Sequence, residues 1–142
     1  MLRSPAVAGQ FYPGQEASLL QMLDEMLPAV DARLPALGVM SPHAGYIYSG
    51  RVAAATLAAV RIPDTVVVLG PNHHGLGHPA AVFDRGRWLT PLGETAIDSD
   101  LAARILEHCP MTAADTAAHK YEHSLEVQLP FLQRLSPGVR IV

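Results

Sequence analysis

Two short apolar runs, Leu37 to Met40 and Thr65 to Gly70, are separated by an alanine-rich stretch of helical character, Gly50 to Val60. That is the spacing of one strand–helix–strand unit, and its right-handed crossover predicts adjacent parallel strands, each apolar throughout because both faces are covered. A histidine-bearing turn follows each run at the same offset. The turns are Ser41-Pro42-His43-Ala44-Gly45-Tyr46 and Gly70-Pro71-Asn72-His73-His74-Gly75. His43 and His73 each stand three residues past a strand end, at the carboxyl edge where open α/β sheets bind their ligands. With neighbouring strands about 4.8 Å apart, two imidazoles at equal offset can share one metal ion or one substrate.

The rest of the chain fits an α/β domain with a mostly parallel sheet flanked by helices. An irregular arm, Ala6 to Gly14, precedes an amphipathic helix expected over Gln15 to Val30, whose Leu19, Leu20, Leu23, Met26, Leu27 and Val30 form a core stripe. Ala80 to Asp84 and Arg87 to Leu89 read as a strand pair across Arg85-Gly86, followed by a Pro91-Leu92-Gly93 turn. Asp98 or Ser99 caps a helix running to about His108. A further helix is expected from about Glu122 to Leu135, kinked or stopped early by Pro130. The β-branched Val139 to Val142 then begins another strand, and natural α/β domains usually cover a last strand with a helix. Residues 1–142 are therefore read as one domain that forms the N-terminal part of a longer fold.

Composition narrows the function. The chain is 49% hydrophobic and 16% charged, with a formal charge of −3 and no cluster of Lys or Arg. That balance fits a folded domain and gives no basis for nucleic-acid or membrane-surface binding. Neither a secretory leader nor an apolar stretch of bilayer length is present, so a cytoplasmic location is expected. Cys109 is the single cysteine, which excludes an intrachain disulfide, and its place at the end of a helical pattern suggests a small core residue.

Seven histidines in 142 residues are the compositional anomaly. Neutral imidazole is a common ligand of zinc, copper and iron, and two histidines plus one more N, O or S donor make a typical catalytic metal shell. His74, His123, Glu122 and Glu126 are the candidates for that third donor. His74 is expected to point away from His73, and His123 can face the crevice as a proton donor or acceptor. Tyr46 and Tyr48 can line a pocket or pack. His119-Lys120-Tyr121-Glu122-His123 has the His-x-x-Glu-His spacing of inverted zincin metalloproteases, which requires both histidines on one helical face. No phosphate loop, dinucleotide fingerprint or nucleophile elbow occurs.

Four segments in order resemble the Memo family, known in bacteria and archaea as AmmeMemoRadiSam system protein B. They are Pro5-Ala6-Val7-Ala8-Gly9-x-Phe11-Tyr12-Pro13, Ser41-Pro42-His43-Ala44-Gly45-Tyr46-x-Tyr48-Ser49-Gly50, Leu69-Gly70-Pro71-Asn72-His73-His74 and Glu122-His123-Ser124-Leu125-Glu126-x-x-Leu129-Pro130. The resemblance implies a fold like that of class III extradiol dioxygenases, LigB-like, with His43 and His73 as metal ligands and His123 at the acid/base position. His74, Tyr46 and Glu122 would line or support the site. Iron or copper is the implied cofactor, ahead of zinc, with redox or oxygenase-like activity. In Memo proteins the third ligand position is a cysteine from the C-terminal half, for which Cys109 has no matching motif. The implied partners are an AMMECR1-like protein and a radical SAM protein. A second reading makes the same crevice a non-enzymatic module for a peptide, a partner protein or a small aromatic ligand.

Overall fold

The computed structural model describes residues 1–142. Its elements in chain order are β1 (Leu2–Arg3), α1 (Glu16–Met26), a π-helical turn (Tyr46–Gly50), α2 (Arg51–Ala58), β2 (Thr65–Val66), β3 (Ala81–Val82), β4 (Arg87–Thr90), β5 (Gly93–Ala96), α3 (Ser99–His108), β6 (Ala113–Ala114), a 3-10 turn (Glu126–Gln128), α4 (Leu129–Leu135) and β7 (Arg140–Ile141). The class is mixed α/β. Parallel pairing joins β1 to β4, β2 to β7 and β3 to β6, and the β4–β5 hairpin is antiparallel.

The helices supply one continuous core. Leu19 and Leu23 of α1, Ala53, Ala54 and Leu57 of α2, and Leu129, Phe131 and Leu132 of α4 are buried together with Trp88 and Ile141 from the strands and Ile97 just past β5. The small side chains of α2 let it lie close to its neighbours, as the alanine-rich sequence requires. Val66 and Val68 pack against this core, whereas Val67 and Leu69 point away from it and are exposed, the alternation expected of a strand. Asp98 caps α3 by accepting from the Leu101 N–H at 3.1 Å.

The expected pairing of Leu37–Met40 with β2 does not occur. The segment is unpaired, Met40 is 94% exposed, and β2 takes β7 as its partner. The nearest tie is a bridge between Leu34 and Val60. Apolarity marks a segment that needs cover on its faces; it does not name the neighbour that hydrogen-bonds its edge, and a cleft of 580 Å³ separates this segment from Thr65 to Pro71.

The expected hairpin across Arg85-Gly86 is also corrected. β3 pairs with β6, and the hairpin lies one strand later, through the Pro91-Leu92 turn. Gly86, at φ +101°, instead gives the Met1 carbonyl room to approach, so that Arg87 N–H donates to Met1 O at 3.0 Å and β1 docks on β4. The helix expected from Glu122 to Leu135 begins late. Pro130 lies in the first turn of α4, where its missing N–H costs no helical bond, and His119 to Leu125 is not helical.

Candidate metal centre

Three histidines converge. The ligand nitrogens of His43, His73 and His123 all lie within 4.8 Å of one another. Ring centroids are 5.3 Å apart for His43 and His73, 5.9 Å for His43 and His123, and 4.6 Å for the nearly parallel rings of His73 and His123. His43 and His73 meet as their equal offsets suggest, although their supporting segments are not paired neighbours. The third nitrogen comes from His123, one of four donors left open by the sequence.

Glu122 organises this cluster from behind. Its Oε2 accepts from the His73 backbone N–H at 2.7 Å, and its Oε1 accepts from the backbone N–H groups of His123 and Ser124 at 2.9 and 2.8 Å. Burial pushes this carboxyl up, but the hydrogen bonds from Ser124 and His73 outweigh it and hold the group at about 2. It is therefore ionised in neutral solution and can only accept. His73 Nδ1, 2.9 Å from Oε1, donates to it, and in the neutral imidazole, the form that binds metals, this places the lone pair on Nε2. Carboxylate support of one ring nitrogen is the usual arrangement behind a metal-bound histidine.

His123 is half-buried, and burial lowers its proton affinity below the ordinary value of 6.5. Glu122 opposes that shift, and the neighbouring His73 and His43 reinforce it. Neutral imidazole, the form that binds metals, is favoured. Phe11 from the N-terminal arm packs on the His123 ring at a centroid distance of 4.8 Å. The Phe11 carbonyl also accepts from Tyr46 N–H at 2.8 Å, which ties the arm to the His43 turn.

A buried polar clamp holds the non-helical segment that carries His123. Arg3 Nε donates to His119 O at 2.8 Å, Nη2 to Glu122 O at 2.6 Å, and Nη1 to Glu126 Oε2 at 2.7 Å. Its guanidinium lies 4.0 Å from the centroid of the Trp88 ring. Glu126 is fully buried and accepts three further bonds, from the N–H groups of Ala6 (2.7 Å) and Val7 (3.0 Å) and from Tyr12 OH (2.7 Å). Burial, followed by the Glu126 charge, raises the Tyr12 hydroxyl far above its ordinary value, so it remains a donor.

The remaining site candidates fall elsewhere. Glu126 belongs to the clamp and supplies no donor to the cluster. The exposed His74 has Nε2 3.0 Å from Tyr121 O. Tyr46 is buried and donates to Val127 O at 2.8 Å, stacked on Phe131, whereas Tyr48 is exposed. Cys109 ends α3 and is half-buried, away from the histidines.

His119 is buried edge-on against Phe83 and Trp88, at 5.7 and 5.8 Å, and burial lowers its proton affinity. It shares neither a helix nor the cluster with His123, so the inverted zincin arrangement is absent. The reason lies in the segment's backbone: without a helix, a four-residue spacing does not bring two side chains to one face.

The donor set fits a first-row transition ion. Metal–nitrogen bonds of about 2.0–2.1 Å put adjacent ligand nitrogens about 3 Å apart, within a side-chain rotation of the separations found. The turns are also pressed together. A Cβ on Gly70, at the base of the His73 turn, would meet Ser124 Oγ at 2.6 Å and Leu125 Cδ2 at 2.7 Å, so a larger residue would make those two side chains rotate away.

Comparison with known proteins agrees with the motif order. The family model described as "Memo-like protein" matches residues 3–142. The chain belongs to the Memo family. A MEMO1 family protein of Thermococcus onnurineus is 48% identical over 99% of this chain and 50% of its own length. Another, from Aquifex aeolicus, is 46% identical over 94% of this chain and 50% of its own. For a third, from Methanopyrus kandleri, the figures are 47%, 94% and 52%. This Memo family chain thus spans about half the length of the curated relatives it matches. No helix in it is long and apolar enough to cross a membrane.

Sequence reasoning missed the contribution of the N-terminal arm. Two signals pointed to it: a lone arginine in an otherwise apolar start, and Glu126 set inside the apolar series Leu125, Val127 and Leu129. Each is a buried charge that requires a partner.

Proposed function

We propose that this Memo family chain holds iron or copper through His43, His73 and His123 and that the centre serves redox or oxygenase-like chemistry. The observation that carries the reading is the mutual approach of the three ligand nitrogens to within 4.8 Å. The orientation of His73 supports it, since Nδ1–H donates to the Glu122 carboxylate and leaves Nε2 to coordinate.

Iron or copper bound there would supply one-electron chemistry and access to dioxygen. The chain's own residues do the positioning. Glu122 orients His73 and makes its free nitrogen more basic. Phe11 covers one side of His123 and reduces its contact with water. The acid/base role that the resemblance implies for His123 is the alternative to coordination: off the metal, its lowered proton affinity favours the neutral ring, which can accept a proton from a bound acidic group and return it.

Metal analysis of purified protein tests the reading. Wild type should retain close to one equivalent of iron or copper with a paramagnetic resonance signal, and His43→Ala and His73→Ala should each lose most of it. Equal metal content in all three proteins would sink the site and favour a peptide-binding crevice. Retention of zinc alone, with no paramagnetic signal after iron or copper loading, would leave the site standing and remove the redox chemistry.

A further inference from the structure

The segment that carries His123 also holds the other two histidine turns by their backbones. Glu122 accepts from the His73 N–H, and Ser124 Oγ donates to Pro71 O at 3.4 Å. The 3-10 turn Glu126–Gln128 grips the His43 turn at both ends. On the far side of His43, Tyr46 OH donates to Val127 O. On the near side, the Gln128 carboxamide uses both of its polar atoms: Nε2 donates to Pro42 O at 3.0 Å, and Oε1 accepts from Ser41 Oγ at 2.8 Å. A carbonyl can only accept, so the amide nitrogen must be the atom that faces Pro42.

No other residue takes this part. Residues 35–43 make no backbone–backbone hydrogen bond, and Gln128 is the single residue outside the turn to which they are hydrogen-bonded. The stretch before the turn, residues 35–40, is exposed throughout, so packing does little to fix His43 from that direction. Gln128 itself is buried between the core residues Val127 and Leu129, and its carboxamide is therefore offered from a firmly packed element.

On the reading of the three histidines as a metal centre, we propose that Gln128 is a positioning residue of that centre, setting where His43 stands relative to His73 and His123. The physical reason is the rigidity of the peptide unit. The Pro42 carbonyl and the His43 Cα lie in one plane, so a donor fixed on Pro42 O fixes the atom from which the His43 side chain departs. The pyrrolidine ring stiffens the chain on the other side of that plane by locking φ of Pro42. His73 is oriented through its ring by Glu122, whereas the His43 ring has no hydrogen-bond partner and meets its neighbours only as an aromatic contact. Its placement is thus inherited from its backbone. A carboxylate at position 128 would turn an acceptor toward the Pro42 carbonyl, and an apolar side chain would leave that carbonyl without its donor.

The test is Gln128→Met, which keeps the length of the side chain, removes both polar atoms and leaves the Tyr46 and Glu122 bonds in place. Nuclear Overhauser contacts among the three histidine rings are measured on the metal-free protein. Those of His43 with His73 and His123 should weaken about threefold, the effect of a shift of about 1 Å on a 5.3 Å separation, while the His73–His123 contact persists. In chelator competition the variant should bind copper(II) about tenfold more weakly than wild type. Should the methionine variant not fold, Gln128→Glu, which loses the donor to Pro42 at nearly unchanged shape, takes its place in the ring-contact measurement.

Unchanged His43 contacts, or weakened contacts with unchanged copper affinity, overturn the proposal. Equal weakening of all three ring contacts also overturns it, because Gln128 would then support the fold as a whole rather than His43. Failure of wild type to bind copper or iron sinks the metal reading alone; the ring contacts of the metal-free protein still decide whether Gln128 places His43.

Discussion

Replacing Glu126 with Gln tests whether the N-terminal clamp holds the fold as the structure indicates. The carboxylate is fully buried and accepts from Arg3 Nη1, Ala6 N–H, Val7 N–H and Tyr12 OH. A glutamine keeps one acceptor oxygen and presents an NH2 where the other stood. With the NH2 at the Oε2 position Arg3 and Ala6 N–H face a donor; at the Oε1 position Val7 N–H does, while Tyr12 OH can turn and accept; in both, the buried Arg3 charge loses its counter-ion. Breaking one side of a buried pair costs about 3–5 kcal/mol. At about 2.1 cal/mol/K per residue, 142 residues unfold with an entropy of about 0.3 kcal/mol/K, so the midpoint should fall by about 10–17 °C.

Urea unfolding followed by fluorescence gives a direct assay, because Trp88 is the single tryptophan, is buried, and lies against Arg3. Tyr12→Phe removes only one donor to the same carboxylate and should cost about 1.5–3 kcal/mol. A loss below about 1 kcal/mol for Glu126→Gln, at unchanged urea dependence, would refute the clamp as a major source of stability.

Other perturbations bear on the site and its supports. Glu122→Gln should lower metal affinity about 10- to 100-fold with the three histidines intact, because the His73 tautomer is no longer fixed; competition against a chelator measures this. Gly70→Ala forces the Ser124 hydroxyl and the Leu125 side chain to rotate away and should cost about 1 kcal/mol by thermal unfolding, with the histidine cluster left in place. Tyr46→Phe leaves the Val127 carbonyl without its donor and should cost about 1–3 kcal/mol in urea unfolding. Asp98 is held below its ordinary value of 3.8 by hydrogen bonds from Leu101 and Thr65 and by Arg140. Its contribution is thus complete above that value and is lost as the pH falls through the lower folded value; acid titration of Asp98→Asn should show a shallower loss of stability below pH 3.8 than wild type.

The sequence revealed the site more clearly than the sheet. His43 and His73 could be brought together from their equal offsets behind two apolar runs, and the mixed α/β class followed from the alternation of those runs with helical stretches. Strand partners were a different matter. Leu37–Met40 and Val139–Val142 are both short, apolar and partly β-branched, and nothing within either says which one hydrogen-bonds to β2. Pairing is a long-range choice made by the whole core. His123 stayed one donor among four because its placement depends on Arg3 and Glu122, one of them far away in the chain and neither bound to it by a local period. His119 illustrates the same limit: the spacing to His123 has meaning only on a helix, and Pro130 allows that helix to start after both histidines.

The clamp also governs when the protein can fold during synthesis. Arg3 and Glu126 are separated by 123 positions, so the N-terminal arm has no counterpart until the segment that carries Glu126 has been made. Closing so large a loop is entropically slow, and until it closes the segment bearing His123 has no anchor. On a nascent chain, the histidine cluster therefore takes shape only after the clamp has closed.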